Sequence, residues 1–431
     1  MKYHPIDSKL FVRNRKKFSE HMVPNSMAIL NSNDIYPISA DSTMPFQQQR
    51  DIFYLSGVDQ EESVLVIFPD CPKEKNREIL FLKETDERIA VWEGEKLTKE
   101  KALETSGIKT VYWLHEMEKV LFELMTQAES VYVNTNEHYR ANVETETRDA
   151  RFIKWLKGKY PAHDYRRCQP ILQRLRSVKE PEEIALIQKA CDITEKGFKR
   201  VLGFVKPGVM EYEIEAEYIH EFIRNRADGF AYTPIVGSGY NACVLHYIEN
   251  NQECKAGDVI LMDVGASYGN YASDMTRCIP VSGKFTDRQK EIYNAVLRVK
   301  NAAAKMLVPG NDWAEYHVEV GKLMTEELLK LKLITQEEVD KEDPDWPAYK
   351  KYFMHGTSHH MGLDTHDYGI LTEPMQAGMV FTVEPGIYLP EENLGIRLED
   401  DYLIQEKGEP INLMKNIPIE IEEIESWMAW S

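Results

Sequence analysis

At 431 residues the chain exceeds one ordinary domain, and a prior of about 100–200 residues per domain gives two or three. With 43% hydrophobic and 29% charged residues the composition is globular, and no apolar run reaches the roughly 18 residues that a transmembrane helix needs. A net charge of −19, from 71 acidic against 52 basic residues, repels nucleic acid and anionic membrane surfaces, so neither is expected as a partner.

The basic start, MKYHPIDSKLFVRNRKKF, has no apolar stretch behind it and does not read as a secretory signal. Cys71, Cys168, Cys191, Cys243, Cys254 and Cys278 lie far apart without a CxxC pair, which argues against a zinc knuckle or a disulfide framework. Reduced, mostly buried thiols in a cytoplasmic protein are expected.

In chain order, Ser63–Phe68 is a short β-branched and apolar run closed by Pro69, and Glu78–Leu82 and Ser130–Val133 are similar, so three strands are predicted. Between them Met117–Ala128 has helical spacing at Val120, Leu121, Leu124 and Met125. Strands separated by helices imply a sheet with helices packed on it. A boundary falls near Ile171–Lys179. After it, Pro181 with Glu182 and Glu183 opens a helix that carries Ile184, Ile187 and Cys191 on one face. Further helices are predicted at Glu211–Arg224, Asp287–Leu307 and His317–Leu331, with strands beginning at Val259 and again between Gly378 and Ile404. The acidic tail, IEIEEIESWMAWS, alternates acids with apolar residues and could dock or stay loose.

The chemistry concentrates in four stretches. In Val259–Gly265 an aspartate, Asp263, sits inside an apolar strand, where an ionised side chain is costly unless something pairs with it. A hairpin symmetric about Tyr268-Gly269 sets Asp263 directly opposite Asp274, and a divalent cation turns that like-charge repulsion into coordination. The alternative is that one aspartate caps the turn while the other meets Arg277. The stretch His355–Asp367, HGTSHHMGLDTHD, gathers four histidines (His355, His359, His360, His366) on a segment that Gly356 and Gly362 keep from being helical. Glu384 ends an apolar strand stopped by Pro385-Gly386. A hairpin centred on Glu391-Glu392 sets it opposite Glu399, for which an ordinary ion pair with Arg397 is the competing reading. Four carboxylates and a histidine suit two hard cations better than one zinc ion.

Taken in order, Asp263, Asp274, HGTSHHMGLDTHD, TVEPGIY and GIRLEDD resemble the pita-bread metallopeptidases, over roughly residues 171–405. The resemblance implies an α/β (α+β) chain, with an N-terminal creatinase-like domain over 1–172 and a catalytic pita-bread domain over 173–431. It implies a dinuclear site, most often Mn²⁺ with Co²⁺ or Zn²⁺ as alternatives, in which Asp263 chelates one ion, Asp274 and Glu399 bridge, and His359 and Glu384 hold the other. His246 and His366 would face the substrate, His355 would support the site, Arg397 would lie close to the metals, and Glu384 would also move protons.

Ser42–Gly57, STMPFQQQRDIFYLSG, and the Ser358-His359 step are similar to the aminopeptidase P branch, although Gln48 stands where arginine is common. That branch removes the first residue of peptides with proline second, through a hydroxide held between the ions. Tyr388 would wall the proline pocket. Prolidase is the nearest alternative, and a non-catalytic binding module on the same fold is a more distant one. A homodimer or homotetramer is expected. Trp92-Glu93-Gly94 is similar to a segment that some relatives lend to a neighbouring subunit, the alternative being local packing.

Overall fold

The computed structural model describes residues 2–141 and 143–429. Two compact units divide the chain, Tyr3–Leu175 and the part from Arg176 onward.

The first unit is built on a six-stranded mixed sheet in the order Thr110–Trp113, Glu78–Leu82, Val64–Ile67, Ser26–Asn31, Ser130–Val133, Asp164–Arg167. The three strands read from apolar runs are all present. Ser26–Asn31 is the buried centre, antiparallel to Val64–Ile67 and parallel to Ser130–Val133. On one face Ile29, Val66, Phe81 and Val131 share a core with Leu121, Leu124 and Met125, the apolar stripe of helix Met117–Met125. Each fully buried leucine there contributes about 2 kcal/mol by area. Gln48 is 2% exposed, and its amide donates to Val58 O (2.9 Å) and Gln60 O (3.0 Å), so it ties a loop together. Trp92, in contrast, is 88% exposed at the end of helix Glu87–Glu93, which buries none of its residues; local packing does not account for it.

In the second unit, helix Pro181–Leu202 starts as the sequence dictates. Pro181 occupies the first turn, and the Glu183 carboxylate accepts from the Glu180 backbone N–H at 2.8 Å. Ile187 and Cys191 are buried, whereas Ile184 is only partly so. Helices Glu211–Arg224 and Asp287–Ala304 follow. The next helix is Trp313–Lys330, four residues earlier than predicted, because the Asp312 carboxylate caps Ala314 N and Glu315 N. The tail docks: helix Ile421–Met428 buries Ile421, Ile424 and Met428, and Glu425 pairs with Lys290 at 2.9 Å. The last two tail residues lie outside the described residues.

Two antiparallel hairpins carry the site. In the first, Val259–Val264 pairs with Met275–Pro280, with Asp263 opposite Thr276 and, nearer the tip, Tyr268 opposite Tyr271. The turn therefore centres on Gly269-Asn270, two residues with positive φ (59° and 67°), as a tight hairpin turn requires. This corrects the expected register. Asp274 is a diagonal neighbour of Asp263 on the same face rather than its direct partner. In the second hairpin Val383 pairs with Asp400 and Gly386 with Arg397, so Glu384 stands level with Glu399, as expected. A bridge between Thr276 and Glu399 joins the hairpins, with Glu399 N donating to Thr276 O at 3.1 Å.

Candidate metal centre

Asp263 lies within a strand, and Asp274, Glu384 and Glu399 each flank a strand end. Asp263 and Asp274 come from the first hairpin, and Glu384 and Glu399 come from the second. His359 arrives differently. Residues 357–361 run alongside strand Val380–Val383, with bonds from Glu384 N to Thr357 O (2.8 Å), Thr382 N to His359 O (3.0 Å) and Met361 N to Val380 O (3.1 Å). His359 Nδ1 donates to its neighbour's carbonyl, His360 O, at 3.0 Å, which turns Nε2 toward Asp274 Oδ2 (3.4 Å) and Glu384 Oε1 (3.6 Å). Asp274, His359 and Glu399 are all buried and offer ligand atoms within 4.8 Å of one another.

Charge is unbalanced at this point. Arg397 is the guanidinium among the four carboxylates, donating to Asp263 Oδ2 at 2.7 Å, Tyr388 OH at 2.9 Å and Thr276 Oγ1 at 3.2 Å. The Thr276 hydroxyl in turn donates to Glu399 Oε2 at 2.6 Å, so Glu399 does not take the simple ion pair with Arg397. Arg277 is occupied elsewhere, by Asp400 at 2.5 Å, which removes the alternative that it meets Asp274. Burial, reinforced by the neighbouring carboxylates, lifts Asp274 and Glu399 well above the usual carboxylate range. Burial also lifts Glu384 to about 7 against the pull of His359. Hard oxygen donors crowded around one imidazole, with too little positive charge among them, fit divalent cations.

The surrounding residues form an ordered shell. His355 Nδ1 donates to Gly356 O (2.8 Å), and its Nε2 meets the Tyr388 hydroxyl (2.8 Å), which accepts from Arg397. Burial, with the Arg397 charge beside it, holds the His355 imidazole down at about 3. Tyr388 is 1% exposed, so its ring has no face for a ligand; its hydroxyl links His355 to Arg397, which corrects the expectation of a pocket wall. The His366 ring is exposed and meets the His359 ring edge-on, with centroids 4.4 Å apart. His246 is exposed close enough to His355 for their charges to interact. His360 points away and packs on Phe381 and Trp313.

The residue that sequence reasoning missed is Tyr232. Its hydroxyl lies within hydrogen-bond distance of both Asp263 and Asp274. It stands 31 residues before Asp263 in a segment without periodicity, and no local signal marks it.

Carboxylates presented by two docked hairpins, with an imidazole turned toward them, define a metal-dependent hydrolase site of the pita-bread kind. Residues 185–406 match metallopeptidase family M24, and residues 11–132 match the aminopeptidase P N-terminal domain. The chain is 35% identical to the Xaa-Pro aminopeptidase of Escherichia coli (strain K12), over 98% of each chain. Among solved structures, E. coli aminopeptidase P with the inhibitor Pro-Leu is similar at a TM-score of 0.87 and 34% identity, covering 99% of both chains. Aminopeptidase PepP of Pseudomonas aeruginosa is similar at a TM-score of 0.88 and 30% identity, again over 99% of both. The chain belongs to metallopeptidase family M24, and it is a metal-dependent aminopeptidase acting on peptides. Among the described residues no helix is long and apolar enough to cross a membrane.

Proposed function

We propose that this enzyme releases the first residue of peptides whose second residue is proline, with Asp263, Asp274, His359, Glu384 and Glu399 holding two divalent ions. The observation that carries this reading is the convergence of Asp274, His359 and Glu399 to within 4.8 Å, with Glu384 3.6 Å from the same imidazole and Asp263 joined to Asp274 through the Tyr232 hydroxyl. Its likeness over nearly the full length to a relative that bears the name Xaa-Pro aminopeptidase supports the proline preference. Mn²⁺ is our first choice of ion, with Co²⁺ or Zn²⁺ as alternatives.

When bound, such a pair lowers the pKa of water toward neutrality and polarises a carbonyl. The protein supplies the rest. Glu384, whose Oε1 lies 3.6 Å from His359 Nε2, is placed to take a proton at its carboxylate and return it to the leaving nitrogen. His246 and His366 donate to the scissile carbonyl oxygen as it gains charge, an effect of about 3 kcal/mol per donor. Arg397 orients Asp263, and Tyr388 keeps Arg397 and His355 in register.

The six unpaired cysteines support a cytoplasmic setting, and the exposed Trp92 supports a homodimer or homotetramer in which that ring meets a second copy. The test of function is mass-spectrometric cleavage of an Arg-Pro-Pro-Gly-type peptide alongside a Gly-Pro dipeptide, with chelator and with added Mn²⁺. Release of only the first residue from the longer peptide, lost with chelator and regained with Mn²⁺, is the expected result. Cleavage of the dipeptide alone would assign a prolidase instead.

A further inference from the structure

Away from the metal ligands, two fully buried cations meet one buried carboxylate. Arg176 and Lys179 lie at the start of the second unit, each with its side chain 1% exposed, as is that of Asp367. Arg176 Nη2 donates to Asp367 Oδ1 at 2.5 Å and to Asp364 Oδ2 at 2.7 Å, while Lys179 Nζ donates to Asp367 Oδ2 at 2.9 Å. Lys179 also donates to Arg176 O. The Arg176 guanidinium covers the Tyr368 ring at 4.3 Å. Burial pushes the Asp367 carboxyl up, but the Arg176 and Lys179 charges outweigh it and keep the group well below the usual carboxylate range.

The geometry around this cluster is that of a clamp on a loop. Asp367 N donates to His360 O at 2.9 Å, closing residues 360–367 on themselves, and Gly362 N donates to Asp364 O at 3.0 Å inside that loop. Gly362 admits no side chain: a Cβ there would stand 2.1 Å from Asp367 Oδ2 and 2.7 Å from Lys179 Cε. The loop is therefore pressed directly onto the buried charges. One residue before Asp367 is His366, whose ring is exposed but held edge-on to His359. For stability alone, apolar residues of similar volume usually serve as well as a buried ion cluster, whereas paired charges fix direction and distance.

We propose that Arg176 and Lys179 are positioning residues that act through Asp367 to hold the 360–367 loop and thereby fix His366 over the metal ligands. This rests on the reading of His366 as a substrate-facing donor. The clamp itself does not depend on which peptide is cut.

The test is a double-mutant cycle in the metal-loaded full chain, pairing Asp367→Asn and Lys179→Met each with His366→Ala. Alone, Asp367→Asn should lower kcat/KM by about tenfold to a hundredfold, mainly in kcat, as a displaced donor does. Metal content should stay at the wild-type level. Combined with His366→Ala it should add little, because both changes remove the same contact. Losses that multiply in full, or metal content that falls in step with activity, would overturn the proposal. Where Asp367→Asn does not fold, Asp364→Asn removes only the half-exposed partner of Arg176 and should cost about threefold with the same non-additivity.

Isotope-labelled histidine NMR of the protein loaded with diamagnetic Zn²⁺ supplies a readout without substrate. The resonance that disappears in His366→Ala should shift or broaden in the clamp variants, and an unchanged resonance counts against the clamp. If wild-type protein leaves Xaa-Pro peptides intact, the proposed specificity fails, while the spectrum still decides the clamp.

Discussion

The Tyr232 hydroxyl lies 2.6 Å from Asp263 Oδ1 and 2.5 Å from Asp274 Oδ1. A phenol has one proton, so it can donate to only one of two oxygens at that range; the other contact needs a second proton or a cation. Burial and the two aspartates push the Tyr232 hydroxyl well above its ordinary range, so it remains a donor. It sets the spacing of the pair. Tyr232→Phe is expected to weaken metal binding by about tenfold to a hundredfold, as loss of an outer-shell partner does, while the fold survives. Isothermal titration with Mn²⁺ measures this, and an unchanged affinity would show that the strands alone space the carboxylates.

Ion removal should be visible in stability. Without cations Asp274, Glu384 and Glu399 confront one another, and the folded state alone has the geometry to bind them. At free metal about a hundredfold above the dissociation constant, the loaded protein should gain about 2.7 kcal/mol per bound ion over the chelated form. Thermal unfolding with chelator and with Mn²⁺ reads this directly; identical midpoints would argue that the cluster holds no ion.

Arg397 should matter more to the metal-free protein than to the loaded one. Its guanidinium is the cation on Asp263 at 2.7 Å, and removing one member of a buried pair costs about 3–5 kcal/mol when nothing replaces it. Arg397→Met is expected to approach that cost under chelation and to lose clearly less when divalent ions neutralise Asp263. Urea unfolding in both states distinguishes them, and equal losses would place the importance of Arg397 elsewhere.

Glu183, outside the set of metal ligands, supplies a pH-dependent term. It is 1% exposed, accepts from the Tyr271 hydroxyl at 3.0 Å, and burial raises it from 4.5 to about 7. Between those values the unfolded chain has lost its proton while the folded chain retains it, so stability falls as pH rises through the window. Glu183→Gln has no proton to lose, and the Tyr271 hydroxyl can reverse to accept from its amide. The variant should exceed wild type at pH 8 by up to about 3 kcal/mol, with the gain vanishing near pH 4.5. Equal midpoints at both pH values would mean that the carboxylate is ionised throughout.

Turn chemistry explains what the sequence disclosed and what it did not. Glu384 and Glu399 stand level because the turn between their strands centres on Glu391-Glu392, as the sequence implies. The first hairpin departs from its expected register because a tight turn needs positive φ at both central residues, which Gly269 and Asn270 tolerate and Tyr268 does not. A turn on Gly269-Asn270 sets Thr276 opposite Asp263. The early start of helix Trp313–Lys330 was legible too, in the capping Asp312. Tyr232, and the burial of Tyr388 beneath the site, depend on contacts between distant segments that no local pattern encodes.

The bridge between Thr276 and Glu399 joins segments 123 residues apart, and each hairpin alone carries only half of the carboxylates. A nascent or partly folded chain therefore has no complete coordination sphere, however well either hairpin has formed. Closing a contact of such separation costs more loop entropy than closing either hairpin. Metal uptake is thereby tied to assembly, and the rate at which refolding protein takes up ions is expected to report the docking of the two hairpins.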